Sequence, residues 1–518
     1  MARINTNVPS VIAQSKLGRT QAQLQVHLER LSTGLRINRG KDDPAGLIIS
    51  ERIRSDLEGI NQGIQNSSRA SAMISTTEGA LAEINDLLNS IRSLMVQSAS
   101  TGSSSDAERQ ANQMQINSAI DSITRISNTA TFGGLKLLNG SLDYQLSGVS
   151  RADISKVRVN NASFINNAAL QVDVDVVGSA QTGALFYNGA TTPPGVTLSA
   201  LTLEITGPTG VEVITVPSGR PLSQLVLGVN NVSSLTGVRA SLINNDPNSG
   251  IVFESVDYGA KSFVSVKRLA PPAPSADSWG LYAFNGSAPR TADAPFGWVA
   301  MIAAGTLVSG NRDKGQDVQA LINGNLATGD GLNLKVSSAS LSMDLTLTPT
   351  TATTPSGTPT SFYITSGGAL FQLGPDVTAL QQATFGIQSV AASQLGGTNT
   401  GSTIEFLSTL KEGQSNSVAA SVARSNFKPA SDILATAIDE ITVLRGRLGA
   451  FERNVLDTNT RSLQSQFENL TASNSVIRDA DFAAETSLLT RAQILASAGT
   501  STLTLANQQA QQVLQLLG

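Results

Sequence analysis

Cysteine is absent from the 518 residues, which excludes a disulfide framework and any thiolate metal site. A single histidine, His27, excludes the paired histidines of HExxH zinc chemistry and leaves no nucleophile–histidine–acid set to assemble. Aromatic residues make up 4% and charged residues 14%. The net charge of −4 provides no basic footprint, so nucleic acid is not an expected partner. No run approaches the ~18 apolar residues of a membrane span, so no membrane partner is expected. The N-terminus, Met1 to Gly18, lacks a continuous apolar core, and a secretory signal peptide is not expected. Phosphate-loop and dinucleotide spacings are missing as well. These absences predict a non-enzymatic protein with no cofactor and no metal. Lys41, Asp42 and Asp43 read as a solvated turn, and His27 as a structural residue.

In their place stand Gly, Ser, Thr, Asn and Ala, and apolar residues in helical time. From Ala492 to Gly518 no side chain is charged. Leu488, Ala492, Leu495, Gly499, Leu503, Ala506, Ala510, Val513 and Leu517 nonetheless recur at spacings of three and four, along one helix face. A soluble surface helix normally carries charged rims. A small, apolar stripe backed by neutral amides therefore reads as an assembly element.

Along the chain the pattern changes three times. Leu17, Leu24, Leu28, Leu31 and Leu35 form one heptad stripe, and Ile53, Leu57, Ile60 and Ile64 another, with a break over residues 33–46. Leu81, Ile84, Leu88, Ile91 and Met95 continue the second. Asp106 is the expected cap of a further helix through Ile116, Ile120, Ile123 and Ile126, folding back antiparallel. Thr131 to Leu138 reads as a hairpin. From Leu142 to Gln414 lie fifteen of the eighteen prolines, both tryptophans and all five tyrosines, with alternating runs such as Val172 to Val177. This block is expected to be β-rich, with Ala270 to Pro274 and Thr348 to Thr360 as internal boundaries or loops. Helical timing returns after Asn416. Pro429, Ser431 and Asp432 mark a start, Leu434 through Val455 step by three and four, and Phe467, Leu470 and Ile477 extend the stripe.

The expected fold is α+β: a discontinuous α-helical coiled-coil bundle formed by both termini, with a β-rich inserted outer domain. The expected segments are 1–42, a terminal helix and the break after it; 43–141, bundle helices and hairpin; 142–414, the exposed β-rich domain, in two subdomains; 415–477, the returning bundle; and 478–518, the second terminal helix.

Two terminal signatures then carry a resemblance. Leu31-Ser-Thr-Gly-Leu-Arg-Ile-Asn38 with Lys41-Asp-Asp-Pro-Ala-Gly46, and Arg491-Ala-Gln-Ile-Leu495 with Ala498-Gly-Thr-Ser501 and Ala506-Asn-Gln508, resemble the two ends of bacterial flagellins. Thr236 to Leu242, Ile251 to Ser255 and Tyr258-Gly259 are similar to a β motif of flagellins and hook-associated proteins.

The resemblance implies a flagellar filament subunit that polymerises with itself. It would be exported unfolded by the flagellar type III route and lie outside the cell. An export chaperone on the C-terminal region, the filament cap and hook-associated proteins are the implied partners. Terminal seams fall on Leu24, Leu28, Leu31, Leu35, Leu488, Leu495, Leu503, Ala506, Ala510, Val513 and Leu517. Arg36, Arg39, Lys41 and Asp42 are the implied inter-subunit polar connector. The uncharged terminal helix, about 40 Å long, would form only on assembly. Toll-like receptor 5 is a further implied partner, through Arg92, Leu94, Val96 and Gln97. Ser90 and Gln115, however, replace an arginine and a glutamate of the receptor-binding pattern. Losing two charged hydrogen bonds, about 1.5–3 kcal/mol each, makes weak recognition the expectation. The helical ends also leave open a hook-filament junction protein, and Trp279, Trp298, Tyr282 and Phe284 a glycan-binding middle domain.

Overall fold

The computed structural model describes residues 7–164, 169–188, 195–197, 199–270, 280–285, 298–338, 340–355, 357–399 and 404–517, without the side chains of 270, 298–300, 399, 510 and 513–517. The fold is α+β, with long helices toward both ends and antiparallel sheets between them. The longer helices are α1 (Val8–Thr33), α2 (Pro44–Ala99), α3 (Asp106–Thr129), α4 (Leu222–Asn231), α5 (Lys428–Phe451), α6 (Asp457–Arg478) and α7 (Phe482–Leu517). The chain forms two compact units, one of Met1–Ala72, Phe371–Gln382 and Ala450–Gly518, the other of Met73–Leu370 and Ala383–Gly449.

In the first unit, Asn7 caps α1 by accepting from the Ser10 N–H at 3.1 Å, and Gly34 ends the helix at φ +72°. The break after it matches the Gly- and Pro-marked interval read from the sequence. Asp43 Oδ1 accepts from the Gly46 N–H at 2.9 Å in the first turn of α2, so this carboxylate caps a helix. Residues 371–382 lie on the same unit's helices, where Asn66 Nδ2 donates to Gln372 O at 3.1 Å and Asn459 Nδ2 to Leu373 O at 2.9 Å. The expected stripe continues through α6 at Leu470 and Ile477, both half-buried, but starts from the buried Leu463, and Phe467 is exposed.

In the second unit, Leu81, Ile84, Leu88, Ile91 and Met95 of α2 are buried, as are Ile116, Ile120 and Ile123 of α3 and Ile433, Leu434, Ala437, Ile441, Leu444 and Leu448 of α5. The timing read from the sequence is thus the timing of burial. The cap of α3 is Ser105 rather than Asp106. Ser105 Oγ accepts from the Glu108 N–H at 3.2 Å while the Glu108 carboxylate accepts from the Ser105 N–H at 2.7 Å, a reciprocal box one residue earlier. The start of α5 also moves forward by one residue, to Lys428, whose N–H is taken by Asn426 Oδ1 at 2.9 Å. Strands Thr131–Phe132 and Leu135–Lys136 form the expected hairpin, turning at Gly133 and Gly134 with φ of +57° and +87°. Both turn positions need positive φ, which glycine reaches without strain.

The β-rich segment holds two packed cores, one nested in the other. In the first, a five-stranded sheet takes Asn325–Leu326, Gln319–Ile322, Leu170–Gly178, Thr360–Gly367 and Tyr144–Ser147 in that order. It shares a core with a four-stranded sheet of Thr328–Asp330, Asn333–Ser337, Leu341–Leu347 and Ile154–Ala162. Val172, Val174 and Val176 are buried while Asp173 and Asp175 are not, the period of two expected there. Of the two readings for Thr348 to Thr360, the loop is the one seen: with its short helix Pro349–Thr353 it joins two strands of this one core.

Between the halves of that core, residues 184–314 build the second. Strands Leu307–Ser309, Leu281–Phe284, Ala184–Tyr187, Ile251–Ser255 and Val238–Leu242 form one sheet, and Arg312–Lys314, Phe263–Ala270, Leu201–Thr206 and Val211–Val216 the other. Leu222, Leu225 and Val229 of α4 share their core with Tyr187 and Phe253. The two crossings into this core are clamped to each other, Gln181 and Gln316 exchanging backbone hydrogen bonds at 2.8 and 2.9 Å. Phe284 meets the buried Phe186 ring at 5.2 Å in a T-shaped contact, and Tyr282 packs on the same cluster, so both are engaged in packing. Trp279, residues 271–274 and the Trp298 side chain lie outside the described residues.

Candidate assembly surface

Helices α1 and α7 pair antiparallel along their length. Asn7 Nδ2 donates to Ala506 O at 3.0 Å and Ser10 Oγ to Asn507 Oδ1 at 2.8 Å, whereas His27, nearly five turns further along α1 at ~3.6 residues per turn, reaches back to Glu485. The face of α7 turned toward α1 is Glu485, Leu489, Ala492, Ala496, Gly499, Leu503 and Ala506, all buried or half-buried. Its small residues permit close approach; a β-carbon at Gly499 would lie 3.2 Å from Leu17 Cδ1. On α1 the matching face is Ser10, Ala13, Leu17, Thr20, Leu24, His27 and Leu31.

No residue of α1 is fully buried, so the pair has a seam rather than a core. Leu28, Leu488 and Leu495 stand off that seam, 47%, 42% and 48% exposed. Val11, Ile12, Ile494 and Leu505 are exposed too. At ~100° per residue, Leu28, Leu488 and Leu495 flank the intrachain face, whereas Val11, Ile12, Ile494 and Leu505 stand well away from it on their helices. Each helix therefore leaves apolar side chains that the chain itself does not cover. Leu35 bridges to Asp479 beyond the end of α1, while the side chains of Ala510, Val513 and Leu517 lie outside the described residues.

One charged group is buried in the seam. Glu485 is 6% exposed, accepts from Arg30 Nη1 at 3.0 Å, and lies 2.5 Å from His27 Nδ1. A carboxylate can only accept, so Nδ1 carries the proton. Desolvation pushes the Glu485 carboxyl up, but the hydrogen bonds and charges of His27 and Arg30 outweigh it and hold the group below its ordinary 4.5. This clamp went unread in the sequence because its partners are 458 and 455 positions apart. The available signal was that Glu485 is the sole acidic residue from Phe482 to Gly518 and His27 the sole histidine of the chain.

The connector after α1 is tied down within the chain. Arg36 Nη2 donates to Ile477 O at 2.6 Å and its N–H to Arg478 O at 2.7 Å, while Ala480 N–H donates to Gly34 O at 2.9 Å. Arg39 pairs with Glu29 at 2.8 Å. Asp42 Oδ2 accepts from the Arg39 and Asn38 N–H groups at 2.8 and 3.2 Å, and the Arg39 bond leads in lowering its carboxyl. Lys41 is exposed. In the second unit, Arg92, Val96 and Gln97 are exposed on α2 and Leu94 is half-buried. Ser90, Leu94 and Gln115 line one shallow depression, so the two departures from the receptor pattern sit side by side.

Residues 4–143 match the bacterial flagellin N-terminal helical region, 431–517 the bacterial flagellin C-terminal helical region, and 202–257 the flagellin hook IN motif. A flagellin of Salmonella rubislaw is 30% identical over 527 residues, covering 99% of each chain. The chain belongs to the flagellin family. This is a family of structural proteins of the flagellar filament. A flagellin of Escherichia coli strain K12 is 29% identical, again over 99% of both chains. The structure of a flagellar hook associated protein-3 from Legionella pneumophila is similar at 11% identity and a TM-score of 0.29, covering 82% of this chain and 97% of that one. In this flagellin-family chain the hook IN match comprises α4 with strands Leu201–Thr206, Val211–Val216, Val238–Leu242 and Ile251–Ser255 of the nested core.

Proposed function

We propose that this chain is a filament subunit that self-assembles through α1 and α7 into the bacterial flagellar filament and serves swimming motility. The observation that carries this reading is the half-built helix pair: an intrachain seam on one face, and leucines, isoleucines and valines left uncovered around the rest of the two helices. Several copies of the same pair packed side by side would cover them, driven by burial of apolar area at ~25 cal/mol per Å². Residues 1–42 and 478–518 would then form the inner tubes, and 43–141 with 415–477 a discontinuous coiled-coil bundle around them. Residues 142–414 would be carried on the outside of the filament.

The seams would use Leu24, Leu28, Leu31 and Leu35 with Leu488, Leu495, Leu503, Ala506, Ala510, Val513 and Leu517. Lys41, exposed beside three tethered neighbours, is the connector side chain best placed to reach another subunit. Export would be in the unfolded state by the flagellar type III route, with a chaperone on the C-terminal region, and the cap and hook-associated proteins would bound the growing polymer. Recognition by Toll-like receptor 5 would be weak, because the depression on α2 and α3 presents Ser90 and Gln115 in place of charges.

The test is electron microscopy of protein depolymerised by heat and then seeded with short filament fragments. Long tubes of uniform diameter are expected. A chain that stays monomeric or adds only a short ring would replace this reading with that of a junction protein.

A further inference from the structure

A cleft of about 500 Å³ opens within the second unit, walled by strand Ile154–Ala162, helix α5 and residues from 388 to 406. Small-molecule sites are typically about 300–1,000 Å³. The chain as a whole carries −4, yet the cleft gathers Arg151, Lys156, Arg158 and Arg447 against Asp143 and Glu440, leaving positive charge in excess. Glu440 is already saturated. Its Oε1 takes Lys156 Nζ and, at 2.7 Å, Arg158 Nη2, and its Oε2 accepts from the Gly396 N–H at 2.9 Å.

Arg447 is different. Its guanidinium stands over the Phe385 ring at 5.4 Å and, among the described residues, has neither a hydrogen bond nor an ion pair. Arg151, exposed at the rim, also has neither. Burial pushes the Arg447 guanidinium down to about 10 despite the attraction of Asp344 and Asp143. A guanidinium offers five donors in a rigid planar fork, and those of half-buried Arg447 are left to the solvent of the cleft. Phosphate and carboxylate groups fit that fork.

We infer that this cleft binds a small multivalent oxyanion, a phosphate ester or a polycarboxylate, gripped by Arg447 and Arg151 with Lys156 and Arg158 adding to the field. The site is independent of the filament reading, since it is built inside one unit of one chain.

Calorimetric titration of the full-length monomer at fixed ionic strength tests it, with sodium pyrophosphate in one arm and citrate in the other. One saturable site is expected for at least one anion, and the tighter arm identifies the class. Arg447→Gln and Arg151→Gln are each expected to weaken binding ten-fold or more. Lys267→Gln, an exposed cation on strand Phe263–Ala270 of the nested core, is expected to leave it unchanged. If Arg447→Gln does not fold, Arg151→Gln at the rim still decides. No saturable binding of either anion, or equal weakening by Lys267→Gln, overturns the site.

Discussion

The pair α1–α7 and the two β cores are built from similar shares of apolar residues, yet they stand at opposite ends of self-sufficiency. In the β cores Phe253, Phe362, Tyr187 and Met343 are wholly buried, strands pair on registers that place every second residue inward, and the chain encloses its own apolar faces. In the helix pair no α1 residue is fully buried, and Ile494 is 64% exposed. On the proposed reading, one region is finished by the chain itself and the other is left for copies of the chain to finish. A two-helix seam this thin offsets little of the ordering entropy of its ~60 residues at about 1–2 kcal/mol each, so its order is expected to depend on neighbours.

The largest break in that contrast comes from truncation. Deleting 492–518 is expected to abolish filaments while the β cores still unfold cooperatively; electron microscopy and a circular-dichroism melt read the two together. Ala506→Glu, which puts a charge into the seam, is expected to act the same way on polymerisation. The reverse experiment is Phe253→Ala, expected to cost the nested core about 3–5 kcal/mol in urea unfolding while seeded growth continues. A filament defect as severe as that of the truncation would erase the distinction.

Smaller effects sharpen it. Glu485→Gln removes the charge that holds His27 and Arg30, and filament stability is expected to fall by about 1.5–3 kcal/mol per charged hydrogen bond lost, measured as a lower depolymerisation temperature. Because the Glu485 carboxyl is held below 4.5, its contribution is present above that pH and is lost as pH falls through the lowered value. Acid depolymerisation should therefore be less steep in Glu485→Gln than in the parent chain. Smallest in its bearing on the contrast is Ser90→Arg with Gln115→Glu, expected to raise receptor-reporter potency about a hundred-fold or more, from two restored charged contacts of about 1.5–3 kcal/mol each, with polymerisation unaffected.

Much of this contrast was legible in the residues. Val172, Val174 and Val176 alternate with aspartates, Gly133-Gly134 marks its turn, and Leu81 to Met95 repeat at three and four, because each pattern is set by geometry local to a few residues. Of the stripe read for α7, Ala492, Gly499, Leu503 and Ala506 lie on the face turned toward α1, whereas Leu488 and Leu495 stand one residue off it, beside Leu489 and Ala496. Size drew the reading to leucine, whereas close approach of two helices selects small residues. The nesting was not legible, since Leu170–Gly178 finds Gln319–Ile322 across a whole inserted core and nothing local announces that partner. The same holds for the Glu485 clamp, which brings together groups from the two ends of the chain.

Amide hydrogen exchange, read by mass spectrometry on monomer and on seeded polymer, tests the central claim most directly. Peptides of α1 and α7 are expected to exchange rapidly in the monomer and to become protected in the polymer, while peptides of the two β cores are protected alike in both. Equal protection of α1 and α7 in monomer and polymer would contradict it, because the helix pair would then be complete without its neighbours.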